Sequence, residues 1–129
     1  MRKHIIISLL LLLTIAAGSL YAKEKAEIAF STTTHDFGRI SAEGGKVSCK
    51  YEFTNKGKEQ LVIIHVTNGG CGCTTPTFTR EPIAPGKTGY VMITFDPKRF
   101  KGEFNRTVTV TTNASNSKTR LKFSGYITD

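Results

Sequence analysis

The chain has 129 residues, with 18 Lys or Arg against 10 Asp or Glu, a formal charge of +8, three cysteines and no tryptophan. A length of this order suits one domain that buries a core without several covalent staples. The basic residues are spread singly, Lys98, Arg99 and Lys101 being the densest group, so they read as a solvated surface and no nucleic-acid partner is expected.

The N-terminus reads as an export address. Met1-Arg2-Lys3-His4 is basic, the run "IIISLLLLLTIAA" is apolar, and "GSLYA" ends on Ala22, a small residue suited to precede a cleavage site. The run is shorter than the roughly 20 residues that span a bilayer, so no stable membrane insertion is expected after cleavage. Leu20 is bulky for its place three residues before the cut, which leaves the exact cleavage point open. Residues 1–22 are thus taken as a signal peptide and 23–129 as a single domain, 107 of the 129 residues, whose charge falls to +6 without Arg2 and Lys3. The expected location is the periplasm or the cell surface, without a choice of side of the outer membrane.

After Ala22 no stretch repeats apolar residues at helical spacing. The chain alternates with period two instead, which sets successive side chains on opposite faces of a strand. "KVSCKYEFTN" places Val47, Cys49, Tyr51 and Phe53 on one face. "LVIIHV" is apolar on both faces and reads as a central strand or one containing a bulge. "YVMITF" aligns Val91, Ile93 and Phe95, "RTVTVTT" aligns Val108 and Val110, and "RLKFSGYIT" aligns Leu121, Phe123 and Ile127. Turn chemistry separates these runs in "NKGK", "IAPGKT", "DPKRFKGE" and "NASNSK". Short strands with regular turns and no helices predict an all-β, immunoglobulin-like β-sandwich of about seven strands. The expected core includes Phe53, Ile63, Val91, Ile93, Phe95, Val108, Leu121 and Phe123.

The motifs "HDFGRI", "YEFTNKGKEQLVI", "GGCGCTTP", "PIAPGKTGYVMITFDP", "KGEFNRTVTVTTN" and "LKFSGYI" follow one another as in the bacterial DUF1573 family, which the chain resembles over residues 34–127. The resemblance implies export, an immunoglobulin-like fold of the group that includes ASH/Hydin and major sperm protein domains, and a source among bacteria such as the Bacteroidetes. It implies no activity and supplies no catalytic residue. Cys49 lies outside the family motif.

The stretch "NGGCGCTTP" holds Cys71 and Cys73 with only Gly72 between them, and three readings compete for it. Zinc sites usually separate paired cysteines by two residues and need four ligands, which would require nearly every Cys and His of the chain, His35 and His65 included, to converge. A soft ion such as Cu(I) could sit between two thiolates alone. An oxidising compartment favours a disulfide, and Gly72 lets the backbone curl enough to allow one. A Cys71–Cys73 bridge closes three residues, worth only about 1.6 kcal/mol, whereas a bridge from Cys49 would close about 23–25 residues, worth about 3.4 kcal/mol. A tight structural corner is the first reading, a candidate redox or thiol site at Cys71 and Cys73 the second, and a metal clip the third. Cys49 is expected to be buried as a small hydrophobe.

The remaining motifs carry less. "DFG" at Asp36 to Gly38 is no kinase loop in a chain of this length, and Phe37 is expected to plug the core beside a turn glycine. "NRT" and "NAS" match a glycosylation triplet that matters only in a eukaryotic pathway. No nucleophile elbow or carboxylate pair stands out, so no enzyme, metal or cofactor is expected. The functional expectation is an exported binding or assembly module for a protein or glycan partner at the cell envelope. The alternative is a periplasmic thiol–disulfide or copper-handling protein centred on the Cys-Gly-Cys loop.

Overall fold

The computed structural model describes residues 25–129, so the signal-peptide assignment falls outside the described residues. Eight strands make up the regular structure among them: β1 (Ile28–Phe30), β2 (Thr34–Ser41), β3 (Val47–Asn55), β4 (Ile63–Val66), β5 (Thr74–Phe78), β6 (Thr88–Phe95), β7 (Gly102–Thr112) and β8 (Lys118–Thr128). They form two four-stranded sheets, β1-β3-β6-β5 and β2-β8-β7-β4. The sheets face each other as a sandwich.

Period-two alternation decides what lies between the sheets. All eight core residues expected from the sequence are buried, together with Cys49, Tyr51, Val110 and Ile127. The long antiparallel pairs set the register, from Val47↔Phe95 to Thr54↔Thr88 in β3–β6 and from Gly102↔Ile127 to Thr111↔Lys118 in β7–β8. Phe95 stacks on Phe104 at 4.8 Å between ring centres and lies 5.6 Å from Phe123. Phe37 packs against the Phe123 ring at 6.1 Å, as a partial plug at the core's rim. Tyr51 reaches across the sandwich, its hydroxyl donating to the Lys122 carbonyl at 2.6 Å.

One expectation changes. "LVIIHV" is not a central strand: Ile63–Val66 pairs on the sheet edge beside β7, with a register irregularity between Ile63 and His65, and Leu61 makes an isolated bridge to Ile83. Ile64 is 63% exposed and meets solvent instead of another layer, whereas Val66, past the irregularity, is buried. The bulge half of the expectation is right. Pro76 is accommodated within β5 because that strand lies at a sheet edge and pairs only with β6. A proline without an N–H is tolerated at an edge.

A buried polar junction ties the loops at one end. Asn55 is 0% exposed. Its Nδ2 donates to the carbonyls of Glu59 and Ile83 at 2.7 and 2.9 Å, and its Oδ1 accepts from the N–H groups of Gly57 and Glu27 at 2.9 and 3.4 Å. One side chain thus fixes the end of β3, the entry to β1 and the turn before β6.

Candidate functional site

The Cys-Gly-Cys loop is the crossing from one sheet to the other. β4 belongs to the second sheet and β5 to the first, and residues 67–73 join them. Thr67 still hydrogen-bonds to β7, its N–H donating to the Thr109 carbonyl at 3.0 Å. The chain then turns away at Gly69 and Gly70, both with positive φ, and a side chain on Gly69 would sit 2.7 Å from the Thr107 carbonyl oxygen. Only glycine fits that approach. Asn68 closes the turn, its Oδ1 accepting from the Gly70 N–H at 2.9 Å and its carbonyl from the Cys71 N–H at 3.3 Å. The composition of the loop is therefore that of a corner.

Cys71 and Cys73 are joined as a disulfide, with Cα atoms 5.1 Å apart, and both are half-buried. The Cys73 N–H donates to Cys71 Sγ at 3.1 Å, and Cys73 Sγ lies 3.7 Å from the Thr74 hydroxyl. Cys73 also lines a cavity of about 300 Å³ with Asp96, Lys98, Arg99 and Phe100. Cys49 is free, 7% exposed and unable to join the pair. The registers place it opposite Ile93, which lies opposite Pro76. Two strand spacings make about 9.6 Å, beyond the reach of a disulfide. Burial raises the Cys49 thiol's pKa, with the neighbouring Tyr51 hydroxyl partly offsetting the rise. Burial, reinforced by Cys49, likewise raises that of Tyr51.

Metal chemistry finds little support in the placement. His35 lies on β2 and His65 on β4, the two opposite edges of one sheet, and both are exposed. No group of three or more His, Cys, Asp or Glu side chains converges among the described residues. As a disulfide, Cys71 and Cys73 present no thiolate to a soft ion.

A second feature escaped the sequence reading. The outer face of β2, β8 and β7 carries a trough of about 590 Å³. Strand register builds it in two rows. Asp36 lies opposite Ser124 and Asn105 opposite the same Ser124, while Arg39 and Glu103 both lie opposite Tyr126. Gly38, at φ +70°, and the hydrogen bond from its N–H to Asp36 Oδ1 at 2.8 Å mark the bulge that offsets the two rows on β2. Gly125 forms part of the wall, since a side chain there would meet the Gly38 carbonyl and the Phe104 ring within 3 Å. The Arg39 guanidinium stacks over the Tyr126 ring at 5.0 Å, and Tyr126 stays 42% exposed. A smaller hollow of about 260 Å³ continues the trough along Thr34, His35 and Lys122. Ser124 and Tyr126 were legible as outward residues. Nothing in the linear pattern distinguishes such residues from an ordinary solvated face.

The architecture and registers define an immunoglobulin-like β-sandwich. The chain belongs to the DUF1573 family, described as a protein of unknown function, whose model matches residues 28–127. It is similar to a protein of unknown function from Porphyromonas gingivalis W83, at 20% identity and a TM-score of 0.69 over 81% of this chain and 48% of that one. The chain thus spans about half of that protein's length. It is also similar to the ASH/PapD-like domain 7 of human CEP192, at 13% identity and a TM-score of 0.64 over 81% of this chain and 87% of that one. The VesB protease of Vibrio cholerae aligns at 14% identity and a TM-score of 0.58 over 81% of this chain and 32% of that one. At such identities the likeness shows a shared fold and nothing of activity. No curated protein matches. No helix among the described residues is long and apolar enough to cross a membrane.

Proposed function

We propose that the chain is an exported, non-enzymatic binding module that holds a protein or glycan partner of the cell envelope against the β2-β8-β7 face. The trough is the observation that carries this reading. Two carboxylates, an amide, a hydroxyl and a guanidinium converge around one exposed aromatic ring. Such a set recognises a ligand rich in hydroxyl or amide groups, with specificity from a few placed polar groups and contact area from the ring. The immunoglobulin-like fold is compatible with this role but is a weak warrant on its own.

Site-specific photo-crosslinking in the host tests it. A benzophenone amino acid at Tyr126 should capture a defined envelope partner, and the same group at Tyr90, exposed on the other sheet, should not. Adding Asp36→Ala should abolish the capture. Equal capture from both positions, or indifference to Asp36→Ala, refutes the trough as the site.

A further inference from the structure

The corner that carries the Cys71–Cys73 bridge has hydrogen bonds of its own. Besides the Asn68 turn, the Thr74 N–H donates to the Cys71 carbonyl at 3.2 Å and the Asp96 N–H to the Cys73 carbonyl at 2.9 Å. These bonds flank the bridge on both sides. The two sulfurs also have different surroundings. Cys71 Sγ already accepts a backbone N–H, which would stabilise negative charge on that sulfur. Cys73 faces the hollow where Lys98 and Arg99, both exposed, outnumber Asp96. The loop that presents these cations is held firmly: the Asp96 carboxylate accepts the Lys98 N–H at 3.1 Å, and the Phe100 N–H donates to the Pro97 carbonyl at 3.1 Å. Arg99 takes a left-handed φ of 75°, alone among the described non-glycine residues.

We propose that Cys71–Cys73 is a thiol–disulfide exchange site for an anionic peptide dithiol, in which Cys73 is the sulfur attacked and Cys71 the leaving group. The partner's first thiolate attacks Cys73 Sγ from the cationic hollow. A partner–Cys73 mixed disulfide forms, the Cys71–Cys73 bond breaks, and its electron pair departs on Cys71 Sγ. That thiolate is held by the Cys73 N–H and then takes a proton from solvent. The partner's second thiolate attacks the partner's own sulfur in the mixed bond and releases Cys73 as a thiolate, which is protonated in turn. The partner loses two electrons and becomes a disulfide; the Cys-Gly-Cys pair gains them and becomes a dithiol. A leaving thiolate held by an N–H donor and an attacked sulfur open to a hollow are the two features that speed such exchange. Cys49 takes no part, being buried two strands away.

The test uses the whole mature protein and two reductants, glutathione as the anionic peptide thiol and dithiothreitol as the one without carboxylates. Quenched alkylation and mass spectrometry follow bridge opening, while circular dichroism follows the fold. Both reductants should open the bridge with the β-sheet spectrum unchanged. The pair of substitutions Lys98→Gln and Arg99→Gln should slow opening by glutathione about fivefold and opening by dithiothreitol clearly less, since both attack as thiolates but glutathione adds its carboxylate charge. Tandem mass spectrometry of the acid-quenched intermediate should place the glutathionyl group on Cys73 and the free thiol on Cys71, because only Cys73 faces the cations. An adduct on Cys71, or one shared equally between the two cysteines, overturns the assignment of the attacked sulfur. An equal slowing with both reductants overturns the anionic partner. A bridge that opens only as the sheet spectrum collapses overturns the exchange site altogether and makes the pair a structural clasp.

Discussion

Replacing Asn55 with Ala removes a junction in which a single buried side chain makes four hydrogen bonds. Three of them are 2.9 Å or shorter, to Glu59, Ile83 and Gly57, and the fourth, to Glu27, is long at 3.4 Å. A neutral hydrogen bond contributes about 0.5–1.5 kcal/mol net, so the three good ones together are worth about 1.5–4.5 kcal/mol. The Ile83 carbonyl keeps the Leu61 N–H as a partner at 2.9 Å, and the exposed Glu59 segment can turn to water, which trims the upper end. Asn55→Ala should therefore lower stability by about 2–4 kcal/mol, read as a fall in the urea midpoint at constant slope. Asn55→Asp sharpens the test, because it keeps the acceptor and turns the donor into an oxygen facing two carbonyls. Burial and those carbonyls raise the folded pKa above the unfolded one. Stability is then intact below the unfolded carboxyl pKa and is lost as pH rises through the folded value, so the deficit against the parent chain grows as pH rises above about 4. A loss below about 1 kcal/mol for Asn55→Ala, or a pH-independent deficit for Asn55→Asp, would show that water replaces the side chain and that no buried junction exists.

Phe95→Ala, emptying a site packed by Phe104 and Phe123, should cost about 3–5 kcal/mol in the same assay. Gly69→Ala should cost about 2 kcal/mol or more in thermal or urea unfolding, since it combines a positive φ with a contact on the Thr107 carbonyl. The raised pKa of Cys49 means that its contribution is intact below the unfolded thiol pKa and is lost as pH rises through the folded one. Cys49→Ala should thus flatten the fall in urea midpoint above about pH 8.5, and native Cys49 should resist alkylation. N-terminal sequencing of protein from its own host should find a start at or near Lys23; retained Met1 in a membrane fraction would make the apolar run an anchor.

The strands that proved legible are those with one face buried and one face polar over five or more residues. In β3, β6, β7 and β8 the alternation of Tyr51 with Glu52, or of Phe123 with Ser124, is the imprint of two chemically different surroundings. The strands that escaped lack that contrast. β1 has only three residues, and β2 is largely exposed and broken at Gly38. β5 is rich in threonine and contains Pro76. Asn55 escaped as well, because "NKG" reads as an ordinary turn until the carbonyls of Glu59 and Ile83 are seen to converge on its amide. The trough depends on cross-strand rows such as Asp36–Ser124–Asn105, whose members lie 88 and 19 positions apart in the chain. No local pattern encodes that juxtaposition.

Cys71 and Cys73 are the opposite case: visible at once, but ambiguous until the corner around them is built. Their hollow and the trough share a structural support. Phe104 lines the trough, Phe100 lines the hollow beside Cys73, and Phe95 lies between them, 4.8 Å from the first ring and 6.0 Å from the second. Truncating any of the three rings would disturb both regions and the core together, and a resulting loss could not be assigned to either site. Asp36 and Tyr126 at one site, and Lys98 and Arg99 at the other, are exposed and stand clear of that support. Substituting them changes charge or contact area while leaving the aromatic cluster packed. Loss of capture with Asp36→Ala and loss of charge selectivity with Lys98→Gln and Arg99→Gln therefore report on separate chemistries of one rigid scaffold, and either can fail while the other stands.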